Sequence, residues 1–159
     1  MIGLMNRCLL ALTALYCAPV LAAEAPSDAV AKIFDRDLTT IEREIVPLAE
    51  EMPADKYSFA PTGGEFKGVR TFGEQMKHVA AVIYLVSATV LGEKNPDTTG
   101  GENGPASMKN KGEIVGYLKD SFAYAHKAMN SLSAKNLTDM IPSAFGADKV
   151  SRVSMATRL

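Results

Sequence analysis

The chain has no tryptophan, two cysteines and two histidines in 159 residues, and each shortage excludes something. Both cysteines, Cys8 and Cys17, lie within the first 22 residues, which read as an export signal. Once that segment is removed no disulfide, thiol nucleophile or cysteine-built zinc site remains, nor the C-x-x-C-H of c-type haem attachment. Two histidines, with no carboxylate tied to either by the sequence, leave no Ser/His/Asp arrangement to defend. Aromatic residues make up 7% of the chain, thin for an all-β sandwich and adequate for helices packed through aliphatic side chains. The net charge of −1 lacks the basic excess of a nucleic-acid binder, so no nucleic-acid partner is expected.

What is present begins with the signal. Arg7 gives a positive start, and Cys8 to Ala18 is an uncharged run of 11 residues, well short of the ~20 that span a membrane. Val20 and Ala22 suit the −3 and −1 positions, so cleavage is expected after Ala22, with Ala23 as the alternative. The bulky Tyr16 before Cys17 argues against a lipoprotein. The expected location is the periplasm or the outside of the cell, with no stable membrane span after cleavage. Residues 23–159 then form one domain, with 16 Lys and Arg (Arg7 being lost) against 18 Asp and Glu. A chain of that length buries about two-thirds of its unfolded surface without staples.

Three segments carry helical periodicity. Val30, Phe34, Leu38, Ile41, Ile45, Leu48 and Met52 line one face of a helix from about Ser27 to Met52, with Ser27 or Asp28 as cap. Pro47 removes a backbone donor there, which predicts a kink or an early end. Thr71-Phe72-Gly73-Glu74 is a capping box opening a second helix that Gly92 is placed to end. Val82 and Leu85 widen its apolar arc, so it should be the most buried. Asn110 with Glu113 opens a third, over about Asn110 to Ser133. Asp148 to Leu159 opens like a fourth, without a terminating cap. Pro53 to Arg70 and Glu93 to Lys109 are Pro- and Gly-rich crossings. The expected class is all-α: a four-helix bundle with long crossover loops, its fourth helix incomplete.

Chemistry rests on few residues. His78 falls at the edge of the second helix's apolar arc, where a polar ring needs a hydrogen bond or a metal. His126 sits at the margin of the third helix and reads as a half-exposed surface histidine. Glu42, Glu44, Glu50 and Glu51 read as a solvated face. Gly63-Gly64 and Gly100-Gly101 have neither the spacing nor the lysine of a phosphate loop, and turns explain them. The methionines read as gap fillers. Asn136-Leu137-Thr138 matches a glycosylation sequon.

Met52-Pro53-Ala54-Asp55-Lys56-Tyr57-Ser58-Phe59-Ala60-Pro61-Thr62, followed by Thr71-Phe72-Gly73-Glu74-Gln75-Met76-Lys77-His78-Val79-Ala80, resembles the DinB-like family. It is similar above all to the family's exported branch. The likeness continues through Ser121-Phe122-Ala123-Tyr124-Ala125 and Val150-Ser151-Arg152-Val153-Ser154-Met155-Ala156, nearly the whole mature chain. The resemblance implies a four-helix bundle holding a divalent metal, zinc or nickel in type, on three histidines. The first ligand stands where His78 is, and the other two lie one turn apart on the fourth helix. It further implies chemistry of the thiol-transferase, isomerase or hydrolase kind, with a small-molecule thiol or other small substrate as partner. His126 matches no ligand position. The chain ends at Arg158-Leu159, where that histidine pair would follow, so truncation or the loss of two ligands is expected, and the uncapped ending favours truncation. The metal belongs to a complete member, and this chain can lack it. The catalytic residues are unknown. An incomplete bundle should expose apolar stripes, solubility should suffer, and a homodimer is one way to cover them. Two functions follow: an exported metal-binding bundle with His78 as first ligand, or a non-catalytic cell-envelope protein binding a partner or apolar ligand in its core groove.

Overall fold

The computed structural model describes residues 29–99 and 101–159. The expected signal, its cleavage site and the cap at Ser27 or Asp28 lie outside those residues.

Helix α1 spans Ala29–Glu51, α2 Phe72–Leu91 and α3 Lys111–Asn130. The all-α expectation holds: helices dominate, joined by a two-stranded sheet of three-residue strands, β1 (Met140–Pro142) and β2 (Lys149–Ser151). Helix α3 packs on both α1 and α2, and its apolar stripe supplies the middle of the core. Leu118, Phe122 and Met129 of α3 are buried with Val86 and Val90 of α2 and Met155 near the chain end. A side chain such as Phe122, fully withdrawn from water, contributes about 2–3 kcal/mol to the fold.

The two capping boxes form as read. The Thr71 hydroxyl accepts from Glu74 N–H while Glu74 accepts from Thr71 N–H, and Asn110 with Glu113 repeats the pattern. Gly92 closes α2 with φ +70°, a left-handed conformation open to glycine at little cost. These caps fix the register of α2 and α3, and hence which way His78 and His126 point.

Of the two outcomes expected at Pro47, a kink or an early end, the early end does not occur: helix α1 runs past it to Glu51. Beyond the proline, the carbonyls of Ala49 and Glu50 at the helix end are held by other side chains. The Tyr57 hydroxyl donates to Ala49 at 2.5 Å, and the Lys111 ammonium donates to Glu50. Tertiary partners thus replace what the helix terminus cannot supply itself.

The C-terminal segment corrects an expectation. A helix does not open at Asp148. Residues Lys149–Ser151 pair antiparallel with Met140–Pro142, Ile141 opposite Val150. Only Arg152–Ala156 is helical (α4), capped by the Ser151 hydroxyl. Arg152 N–H and Val153 N–H donate to the Asp139 and Leu137 carbonyls, so loop backbone takes the first donors of the helix. Between α1 and α2 this leaves a groove floored by Phe122 and bounded at one end by Arg158 and Leu159.

Candidate functional site

The groove holds His78. It is an opening of about 260 Å³ walled by Ile41 and Ile45 of α1 and by Val79, Val82 and Ile83 of α2, with Gln75 and His78 as its polar side chains from α2. His78 is half-buried. Its Nδ1 lies 2.5 Å from the Glu102 carbonyl oxygen, and a carbonyl can only accept, so Nδ1 carries the proton and donates. The remaining nitrogen, Nε2, is then a lone-pair donor, with no hydrogen-bond partner among the described residues. The partner expected for a polar ring on this helix exists, and it is backbone.

A backbone carbonyl holding one imidazole nitrogen is an arrangement that also orients metal-ligating histidines. The donor set tests the rest of the implied centre. Around His78 the groove offers aliphatic walls, an amide and the Arg158 guanidinium, which repels a cation. No group of three or more His, Cys, Asp or Glu able to hold a metal occurs among the described residues. The residues fit one coordinate bond and do not fit a closed metal centre.

His126 is more connected than a surface histidine. Its Nδ1 lies 2.7 Å from Asp35 Oδ1 and its Nε2 3.0 Å from Glu42 Oε2, both on α1. Asn130 Nδ2 donates to the same Asp35 oxygen at 2.8 Å. Burial disfavours the charged ring, but the hydrogen bonds to Glu42 and Asp35 outweigh it and raise the imidazole above its ordinary value. With both ring nitrogens committed to carboxylates, His126 is a protonated clasp between α1 and α3. Glu42 is therefore no merely solvated charge, and Glu50 pairs with Lys119 at 2.5 Å.

Other polar clusters went unread in the sequence. The Tyr117 hydroxyl donates to Asp97, and Tyr124 donates to Glu93 at 2.9 Å. Burial, then the Glu93 bond, pushes the Tyr124 phenol up to about 12, and Tyr117 is raised further still by burial and Asp97. Both phenols stay neutral and serve as donors that fasten the 93–99 crossing to α3. Asn136 of the sequon is engaged locally: its Oδ1 accepts from Ser133 N–H and its Nδ2 donates to the Ser131 carbonyl. Gly64 and Gly101 take positive φ, each as the first residue of a three-residue 3-10 helix rather than in a simple turn.

The stretch Gly101–Pro105 touches two consecutive residues of α2. The Glu102 carbonyl accepts from His78, and the Pro105 carbonyl accepts from Lys77 Nζ at 3.2 Å. Gly104, at φ +66°, makes this fit: a Cβ there would stand 3.1 Å from the Lys77 carbonyl oxygen and 3.2 Å from the Tyr117 ring.

Capped helices gathered on α3, with an imidazole on the inner edge of α2, define a helical bundle with a groove-lining histidine. The family model described as the DinB superfamily matches residues 37–157, and the chain belongs to that superfamily. No curated protein and no solved structure matches the chain.

Proposed function

We propose that this is an exported DinB-superfamily protein in which His78 presents Nε2 as one ligand to a divalent metal of the zinc or nickel type. The observation that supports the reading is the Nδ1–H bond to the Glu102 carbonyl, which leaves Nε2 without a partner among the described residues on a ring that lines the groove. The signal-like segment before residue 23 supports export. One imidazole makes one coordinate bond, so the described residues alone hold such an ion weakly. Metal-assisted transfer or hydrolysis, with a thiol or another small molecule as substrate, needs ligands that these residues do not provide.

The aliphatic walls favour a second reading, a non-catalytic protein of the cell envelope that takes a small apolar molecule into the groove. Because Nε2 accepts, the matching ligand carries a hydrogen-bond donor, as a phenol does. Thermal unfolding with zinc, nickel or p-cresol separates the two, in the wild-type chain and in His78→Ala. On the metal reading zinc or nickel raises Tm of the wild type, chelator reverses the rise, and His78→Ala abolishes it. An equal response of both proteins to metal would falsify that reading. A Tm indifferent to metal and chelator but raised by p-cresol supports the second.

A further inference from the structure

Lys77 is a buried lysine that no carboxylate touches among the described residues, with Glu74 acting on it only through space. It is 6% exposed, and its ammonium makes no ion pair among the described residues. Its one hydrogen bond goes to the Pro105 carbonyl at 3.2 Å, which leaves two N–H donors. A buried charge normally sits beside an opposite one, because withdrawing it from water is costly.

The surroundings add positive charge. Lys77 lines an opening of about 300 Å³ together with Arg70, Lys109 and Glu74. Arg70 spends one donor on Asn103 Oδ1 at 3.0 Å and keeps the rest of its fork. Glu74 offsets one charge of the three, but its Oε2 is committed to the Thr71 amide and hydroxyl as the helix cap. Those bonds, then the nearby charges of Lys77 and Lys109, hold Glu74 below the usual carboxylate range, so it remains charged and engaged. An adjoining opening of about 210 Å³ shares Glu74, Lys77 and Lys109 and adds the apolar faces of Tyr57, Met108 and Ile114.

We infer that these two openings form a binding site for a small organic anion. A phosphate or carboxylate head meets Lys77, Arg70 and Lys109, and an apolar body lies against Tyr57, Met108 and Ile114. The surplus of two positive charges favours a doubly charged head. The site lies on the side of α2 facing the 101–109 crossing, apart from the His78 groove, and it does not depend on metal binding there.

Phenyl phosphate is the probe, followed by NMR and calorimetry on the whole chain, with benzylamine as a control of the same shape and opposite charge. Phenyl phosphate is expected to shift the backbone amides of residues 71–77 and 103–109 and to bind more weakly as salt rises. Lys77→Met keeps the apolar stem and removes the charge. It should weaken binding about tenfold. Arg70→Gln and Lys109→Gln alter exposed side chains and should each cost about two- to fivefold. Equal binding of benzylamine, or undiminished phenyl phosphate binding by Lys77→Met, would overturn the assignment. Should Lys77→Met fail to fold, unchanged affinity in the Arg70→Gln/Lys109→Gln double variant overturns it instead.

Discussion

The chain's two imidazoles show how environment divides one side chain into two jobs. His126 is gripped at both nitrogens by Asp35 and Glu42, which favours its charged form. Its folded-state value lies above the ordinary 6.5, so its contribution to stability is complete below about pH 6.5. That contribution is lost as pH rises through the raised value. His126→Gln should therefore cost about 1–2 kcal/mol near pH 6 and much less at pH 9. Unfolding of both proteins across that range checks this, and a penalty constant with pH would contradict it. Little of this clasp could be read from the sequence, because Asp35 and Glu42 stand 91 and 84 residues from His126. His78 was legible, since its place on an apolar arc demanded a partner. That the partner would be a carbonyl from a loop was not.

Elements with complete local signals were legible nearly to the residue. The boxes at Thr71–Glu74 and Asn110–Glu113 and the glycine at 92 act through neighbours three or four positions away, and α2 begins and ends, and α3 begins, accordingly, whereas α3 stops at Asn130, short of the expected Ser133. Where tertiary partners intervene, local reading fails. Helix α1 passes Pro47, and Tyr57 and Lys111 hold its last carbonyls, while residues 149–151 pair with β1 instead of joining a helix. The burial of Lys77 likewise follows from a crossing laid over it, which no helical wheel reveals. That crossing has one sensitive point. Gly104→Ala would combine an unfavourable φ with contacts near 3.1 Å to Lys77 and 3.2 Å to Tyr117. The expected cost is about 1–3 kcal/mol, seen as a lower Tm, with faster solvent exchange of the His78 Nδ1 proton as the Glu102 carbonyl withdraws. An unchanged Tm and exchange rate would show that the crossing does not hold the ring.

Taken together, α3 forms the spine of the molecule, α1 and α2 flank it, and α4 adds barely more than one turn beside α2. Apolar side chains of α1 stay in contact with water, Ile33 at 51% and Leu48 at 49% exposure among them. The periodic stripes located the three long helices and the buried faces of α2 and α3, but on α1 Ile41 and Leu48 of the stripe are exposed while Val46 and Ala49 are buried. The stripes could not reveal the groove, which arises from how three helices are placed around Phe122. The central claim is that His78 offers Nε2, with Nδ1 held protonated, to an ion entering that groove. Side-chain ¹⁵N NMR during zinc titration reads this directly, because only two histidines contribute signals. The account predicts that zinc moves the His78 Nε2 resonance, leaves its Nδ1 protonated and leaves both His126 nitrogens in place. Zinc that shifts His126 alone, or a His78 ring found protonated on Nε2, would contradict it.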